Sequence, residues 1–282
     1  MMKEAIGAVI QAASIASCEK SGDFKGQDGL LYCGNCHTRK QVRISSPLFK
    51  EVKILPCMCK CASEEWDREK KEKAVLQHYE RAVSSQLVRI DNRFVKDWTF
   101  DRDDGKNQKS IAIARQYVSG WKTHLDKGQG LLFWGTVGTG KSFAAACISN
   151  ALREKHVPTL FTSFGEIIKS VSDFSVDKIQ FFDAFGRFDL LVLDDLGAER
   201  NSAFALEQVF DVVDRRVQAK LPMIVTTNLT IDELKHPEGV SYQRIYDRLL
   251  QVCTPVNFSG ESRRKAQAAQ NVRALQAMMQ NL

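Results

Sequence analysis

The sequence has no long hydrophobic segment without charged residues. No apolar segment approaches the roughly 20 residues that a membrane-spanning helix needs, although 44% of the 282 residues are hydrophobic. The apolar segment at residues 5–16 contains Gln11 and little basic charge precedes it, so we expect a short amphipathic helix there, not a signal sequence. These features predict a cytoplasmic protein with no membrane partner.

A strong excess of one charge is also missing. The chain has 40 Lys and Arg residues against 34 Asp and Glu residues, which gives a net charge of +6. This mild excess permits nucleic-acid binding but does not require it. The length fits one large domain and one small domain.

Cysteine is scarce outside one N-terminal segment. Six of the eight cysteines lie within residues 18–61, and this crowding favours a metal site over a secreted disulfide framework. The Cys-x-x-Cys spacing of Cys33 and Cys36 turns two thiolates towards one ion. A second pair about twenty residues later completes a tetrahedral Zn²⁺ site. The pattern leaves that pair open among Cys57, Cys59 and Cys61, with Cys18 and His37 as weaker candidates and inert reduced cysteines as the alternative.

The most specific motif lies in the middle of the chain. Leu131–Trp134 is typical of a buried strand, and residues 143–152 are typical of a helix. Between them lies a Gly-x-x-x-x-Gly-Lys-Ser sequence, the pattern of a phosphate-binding P-loop. The sequence therefore predicts binding of ATP or GTP, with Lys141 on the β- and γ-phosphates and Ser142 on Mg²⁺. The loop residues are Gly135, Thr136, Val137, Gly138, Thr139, Gly140, Lys141 and Ser142.

Two further apolar runs end in polar residues. Leu190–Leu193 leads into Asp194 and Asp195, which predicts a buried parallel strand with carboxylates at its end. There Asp194 holds Mg²⁺ through water, and Asp195 orients the attacking water. Asn228 ends the second run, where a neutral side chain can hold the same water.

Two segments have more than one interpretation. Residues 66–93 predict an exposed charged helix, which is either a solvated spacer or a partner-binding face. Within residues 172–188, aromatic rings alternate with basic side chains, and such rings either stack on single-stranded DNA or pack in a core. Core packing is the commoner explanation and the one we favour. The rings are Phe174, Phe181, Phe182, Phe185 and Phe188.

Taken together, the motifs over residues 94–265 resemble the AAA+ ATPases of the DnaC/IstB group, the bacterial and phage helicase loaders. The resemblance is carried by Gly135–Ser142, Leu190–Gly197, Met223–Asn228, Arg244–Leu250 and Val256–Arg264. It implies an α/β fold in which helices flank a central parallel sheet. A small cysteine-rich zinc-binding N-terminal domain and a helical linker precede that fold.

The resemblance also implies roles for single residues. Asn228 matches sensor 1, and Arg248 matches the arginine finger that a neighbouring subunit inserts, with Arg244 as the alternative. Arg264 matches sensor 2, with Arg263 as the alternative. AAA+ ATPases more often carry Asp-Glu where this chain has Asp194 and Asp195, and slow, switch-like hydrolysis would suit a loader. The expected catalytic set is Asp194, Asp195, Asn228, Arg248 and Arg264.

The expected organisation follows from the same resemblance. Residues 1–65 form a zinc-binding domain that docks on the replicative DnaB-type helicase, and 66–93 form the linker. Residues 94–265 form the ATPase, which assembles as a homo-oligomeric spiral and touches single-stranded DNA, and 266–282 form a helical tail. An IstB-type transposition helper that binds duplex DNA is the alternative function. A small-molecule kinase and an adaptor with a purely structural nucleotide are further alternatives, and the Asn228, Arg248 and Arg264 set argues against the kinase.

Overall fold

The computed structural model describes residues 19–45, 52–172, 177–197 and 202–280. Cys18, Phe174 and residues 5–16, on which three of the expectations above rest, lie outside this part of the chain. The chain forms two compact units, Met1–Leu76 and Gln77–Leu282. The domain boundaries at 65/66 and 93/94 stay a prediction. Within the described residues, no helix combines the length and the apolar character needed to cross a membrane.

The first unit is built from two small antiparallel pairs. Strand β1 pairs with β2, and β3 pairs with β4 in the register Val42↔Leu55. Helix α1 begins after a three-residue connection from β4, with Cys61 as its second residue. The bounds are β1 Phe24–Lys25, β2 Leu31–Tyr32, β3 Gln41–Ile44, β4 Lys53–Pro56 and α1 Lys60–Val83.

The second unit alternates strands and helices, as an α/β fold requires. Its strands are β5 Gly130–Trp134, β6 Thr159–Ser163, β7 Leu190–Leu196, β8 Met223–Thr227 and β9 Cys253–Asn257. Its helices are α2 Gln108–Ser119, α3 Trp121–Lys127, α4 Lys141–Arg153, α5 Phe164–Val171, α6 Lys178–Ala184, α7 Ala203–Gln218, α8 Ile231–Lys235, α9 Val240–Val252 and α10 Arg263–Gln280. Single 3₁₀ turns cover Gln86–Ile90, Arg93–Val95, Phe100–Arg102 and Phe185–Arg187.

The five strands of this unit form one parallel sheet in the order β6-β7-β8-β5-β9. The fold predicted from the sequence, a parallel sheet flanked by helices, is confirmed. Because all five strands are parallel, their carboxyl ends share one edge, where ligands of open α/β sheets bind. Strand β8 lies between β5, which leads into the P-loop, and β7, which carries the acids. The end of β8 is therefore adjacent to both.

Successive side chains of the strands enter two separate cores, as the period of a β-strand dictates. On β7, Leu191 and Leu193 face the core formed with α5, α6, α7 and α9, whereas Leu190 and Val192 face the core formed with α2 and α4. Both faces of the sheet are thus covered by helices. This explains why the strand sequences are continuously apolar.

The aromatic segment belongs to the core. Phe181, Phe182, Phe185 and Phe188 are each 4% exposed or less and pack in the first of these cores. Core packing, the interpretation favoured from the sequence, is confirmed for these four rings, and stacking on DNA requires accessible rings. The helix predicted from the charged segment also ends earlier, at Val83. The following 3₁₀ turn buries Leu87 in the same core.

Candidate functional site

The P-loop connects β5 to α4 as the motif predicts. Lys141 is the first residue of α4 and is only 6% exposed, because its side chain folds under the loop. Its ammonium group donates to the carbonyl oxygens of Gly135 and Thr136, each at 2.8 Å. The loop is therefore closed around its own lysine, and the amino end of α4 points into the same space. This arrangement favours anions.

Lys141 also begins a series of hydrogen bonds between side chains. Its Nζ atom donates to Oδ1 of Asn228 at 2.9 Å, and Nδ2 of Asn228 donates to Oδ1 of Asp195 at 3.0 Å. The position of β8 between β5 and β7 makes both contacts possible. A single amide thus connects the P-loop lysine to the acid that we expect to orient water.

The two acids owe their placement to an irregularity in β7. The pairing of β7 with β8 shifts between Leu193↔Val225 and Leu196↔Thr227, so β7 contains one residue more than β8 there. Asp195 takes the left-handed conformation, with a φ of 63°. Such bulges re-aim side chains near functional sites. Here the bulge sets Asp194 and Asp195 opposite the single residue Thr226.

Thr226 is a site residue that the sequence analysis missed. Its hydroxyl donates to Oδ1 of Asp194 at 2.6 Å and accepts from the backbone N–H of Asp195 at 2.9 Å. Thr226 itself is 1% exposed, so its hydroxyl is held in the protein interior. Its place two residues before Asn228, in the run Thr-Thr-Asn, was the available signal. Thr226 holds the two acids in a fixed relation to each other.

These side chains line a cavity of about 330 Å³, a volume at the lower end of the range for ligand sites. Burial lowers the pKa of Lys141, and the Arg264 guanidinium lowers it further, whereas Asp195 and Asp194 act in the opposite direction. The cavity is thus lined by charges of both signs. Its lining includes Trp98, Gly138, Gly140, Lys141, Ser142, Asp194, Asp195, Thr226, Asn228, Arg263 and Arg264.

The arginines predicted to act at this site lie in different places. Arg263 and Arg264 both line the cavity, but Arg264 is exposed, whereas Arg263 is bound to Asp104 and to the P-loop backbone. Arg244 and Arg248 lie one turn apart on α9 and both face α7. There Arg244 stacks on the ring of Phe210, and Arg248 pairs with Asp214. The structure therefore brings Arg263 and Arg264, but neither arginine of α9, to the cavity of its own chain.

The cysteines of the first unit form a separate cluster. The sulfur atoms of Cys33, Cys36, Cys59 and Cys61 lie within 4.8 Å of one another, with 3.6 Å between Cys33 and Cys61 and 3.3 Å between Cys59 and Cys61. Zn–S bonds of about 2.3 Å in a tetrahedron place sulfurs about 3.8 Å apart. The donor set and its spacing therefore fit Zn²⁺.

The cluster excludes one cysteine that the sequence analysis had kept among the candidates. Cys57 points its thiol at the carbonyl oxygen of Arg39 and lies outside the group of four. The backbone N–H groups of Cys36 and Asn35 lower the pKa of the Cys33 thiol. The Thr38 hydroxyl, followed by backbone N–H groups, lowers the pKa of Cys36 to about 5. The Cys-x-x-Cys turn thus favours thiolate, the form that binds metal.

Comparison with known proteins places the chain in a family. The sequence model of the IstB-like ATP binding proteins matches residues 64–271. The replicative helicase loader DnaI of Bacillus subtilis is 28% identical over 180 residues, which are 59% of this chain and 58% of DnaI. The replicative helicase loader DnaC of Escherichia coli K12 is 28% identical over 144 residues, which are 50% of this chain and 56% of DnaC. The chain thus spans a little over half the length of these curated relatives.

Solved structures agree on the fold. A crystal structure of DnaI covers 61% of this chain and 93% of its own, with a TM-score of 0.52 and 24% identity. The crystal structure of the DnaC helicase loader covers 60% of this chain and all of its own, with a TM-score of 0.51 and 22% identity. The chain belongs to the family of IstB-like ATP binding proteins, within the DnaC/IstB group of AAA+ ATPases.

Proposed function

We propose that this chain is an ATP-driven helicase loader of DNA replication, acting in the cytoplasm. It binds a DnaB-type ring helicase and single-stranded DNA, and ATP binding and hydrolysis time the release of the helicase. The observation that carries the proposal is the hydrogen-bonded chain Lys141–Asn228–Asp195, because it links phosphate binding to water positioning. The relatives named replicative helicase loaders supply the biological context.

In the proposed reaction, Lys141 and the backbone N–H groups of the P-loop hold the phosphates of ATP. Asp195 and Asn228 orient a water molecule whose oxygen bonds to the γ-phosphorus while the bond to the ADP oxygen breaks. Ser142 and Asp194 offer the hard oxygen donors that Mg²⁺ prefers, and Mg²⁺ bound there would neutralise phosphate charge. Arg264 lies beside the cavity, where it can sense the γ-phosphate.

Two further parts of the proposal concern assembly. Arg248 pairs with Asp214 and does not line the cavity of its own chain, which suits a residue that acts on the nucleotide of a neighbouring subunit in a homo-oligomeric spiral. The four-cysteine cluster binds Zn²⁺ and stabilises the small unit that docks on the helicase. A unit with so few buried apolar residues depends on its metal for folding energy.

A pull-down tests the loader function. The full-length chain, immobilised with ATP, is expected to retain a purified DnaB-type hexamer, and Cys33→Ser is expected to lose the hexamer while keeping ATP binding. Lys141→Ala is expected to lose ATP binding and the timed release. Failure of the wild-type chain to retain any ring helicase contradicts the proposal.

A transposition helper is the second candidate. A putative insertion sequence ATP-binding protein of Sinorhizobium fredii is 30% identical to this chain over 149 residues. ATP-dependent binding to long duplex DNA, together with no retention of helicase, favours this candidate. Binding is measured side by side on single-stranded and duplex oligonucleotides of the same length.

A further inference from the structure

The second half of the P-loop is held from outside by the start of α10. The backbone N–H of Arg263 donates to the carbonyl oxygen of Gly138 at 2.9 Å, and its guanidinium donates to the carbonyl oxygen of Thr139. A β-carbon at Gly140, where φ is 100°, would collide with that guanidinium. Glycine at position 140 therefore allows the positive φ of the P-loop turn, and it also leaves room for Arg263 to reach the loop backbone.

A carboxylate holds the arginine from its other side. Asp104 accepts from Nε of Arg263 at 2.6 Å and from Nη2 at 2.7 Å, which is the two-pronged geometry of a strong arginine–carboxylate pair. Nearby, Nδ2 of Asn107 donates to the same Thr139 carbonyl oxygen at 3.0 Å. The segment before α2 and the start of α10 thus meet on the backbone of the P-loop.

Arg263 and Arg264 differ in what they contact, although they are adjacent in sequence. The contacts of Arg263 are with backbone carbonyls and Asp104, whereas Arg264 is exposed and lines the cavity that Lys141 also lines. An arginine whose guanidinium is bound to a carboxylate and a carbonyl has few donors left for a phosphate. The neighbouring residue is better placed to meet the γ-phosphate.

We propose that Arg263 is a positioning residue which, held by Asp104, fixes the backbone of Gly138–Gly140 in the conformation that receives phosphates. The proposal rests on the nucleotide binding of the proposed function. The P-loop backbone binds phosphates that ADP and ATP share. Arg263 therefore supports both nucleotides equally, whereas Arg264 distinguishes ATP from ADP.

Calorimetric titration of the full-length chain with ADP and with ATP tests this assignment. Arg263→Gln and Asp104→Asn are each expected to raise both dissociation constants by about tenfold, the effect of losing a charged hydrogen bond. The double variant is expected to be no weaker than Arg263→Gln, because both changes remove one interaction. Arg263→Lys is expected to recover part of the loss. Lys265→Gln removes the same charge two residues away and is expected to match the wild type.

Two outcomes of the titration overturn the assignment. If Arg263→Gln weakens ATP but not ADP, Arg263 senses the γ-phosphate and Arg264 does not. If both affinities stay at the wild-type value, the contact does not position the loop.

Hydrogen exchange of the nucleotide-free chain gives an independent test. Asp104→Asn is expected to speed exchange at residues 138–140 and in the first turn of α10 while residues 190–193 of β7 keep the wild-type rate. Equally faster exchange everywhere also contradicts the proposal, because the pair then serves only global stability. If Asp104→Asn shows this local effect but the wild-type chain binds no nucleotide, the proposed function is contradicted and the positioning of the loop by Arg263 still stands.

Discussion

The Nε atom of Arg248 lies 3.0 Å from Oδ1 of Asp214, so the predicted arginine finger is paired within its own chain. Asp214 is 17% exposed and Arg248 is 43% exposed, so the acid belongs to the packed surface of α7 and the arginine extends from α9. A finger that reaches a neighbouring nucleotide must therefore exchange a carboxylate for a phosphate. Because the pair with Asp214 can be broken from the side of the acid, the structural role of Arg248 can be tested separately from a role in catalysis.

Arg248→Ala is expected to lower the ATPase turnover of the assembled protein by about 10³-fold, the lower end of the effect of arginine fingers. Asp214→Asn breaks the same pair but keeps the guanidinium, so its turnover is expected to stay near that of the wild type. Steady-state ATPase assays over a range of protein concentrations check both. Activity that is independent of concentration and survives Arg248→Ala contradicts the assignment.

Arg244→Ala is the matched comparison one turn earlier on α9. It removes a cation–π contact with Phe210, which is worth about 0.5–1 kcal/mol at an exposed site. We expect a small drop in thermal midpoint and little change in turnover. The reverse pattern, in which Arg244→Ala loses turnover and Arg248→Ala keeps it, moves the finger to Arg244.

The backbone at Asp195 predicts how its variants behave. Its left-handed conformation is tolerated by Asp and Asn better than by most residues with a β-carbon. Asp195→Asn is therefore expected to keep the fold and ATP binding while turnover falls by about 10²-fold or more. Asp195→Glu is expected to lower the thermal midpoint and to give no gain in turnover. Differential scanning fluorimetry and single-turnover hydrolysis measure the two effects, and a faster Asp195→Glu enzyme contradicts this reasoning.

Thr226→Val tests whether the missed threonine serves the acids. Valine keeps the shape but removes the hydroxyl that donates to Asp194, so we expect a higher Mg²⁺ concentration at half-maximal ATPase activity. Thr227→Val is the control, because its hydroxyl donates to the backbone of Leu196 instead. Both variants are expected to lose about 1–2 kcal/mol of stability. An equal shift in Mg²⁺ dependence for both variants contradicts the role of Thr226.

The cysteine cluster predicts which thiols bind zinc. We expect native mass spectrometry to find one Zn²⁺ per wild-type chain and none in Cys33→Ser, which removes one of the four clustered sulfurs. Cys57→Ser is expected to keep that equivalent, since Cys57 lies outside the cluster. A chelator is expected to unfold the first unit and to leave the second unit folded. Zinc retained by Cys33→Ser and lost by Cys57→Ser reverses the assignment.

The parallel sheet and the P-loop could be predicted because their signals are local. Each signal is a short apolar run followed at once by a recognisable motif. The run Leu131–Trp134 precedes the glycine pattern, and the run that ends at Leu193 precedes the two acids. The structure has a strand at both runs. The position of Asn228 beside Lys141 followed from topology, once β8 was placed between β5 and β7.

Contacts between segments that are distant in the chain could not be predicted from the sequence. The pairing of Arg263 with Asp104 joins residues 159 positions apart, and no spacing rule connects them. The choice of Cys59 over Cys57 depends on the direction of single side chains at the end of β4. The end of α1 at Val83 depends on the burial of Leu87, which tertiary packing decides and helix propensity does not.

The three acceptors of Lys141 have a consequence for how nucleotide affinity should be understood. An ammonium group has three protons, and Gly135, Thr136 and Asn228 each accept one. A phosphate oxygen can reach the lysine only by competing with one of them, so binding is an exchange of partners. The affinity for ATP is thus expected to reflect a difference between two interactions. We therefore expect a weaker internal acceptor at position 228 to raise the affinity for ATP even as it slows hydrolysis, so that tight binding and fast turnover are expected to oppose each other at this asparagine.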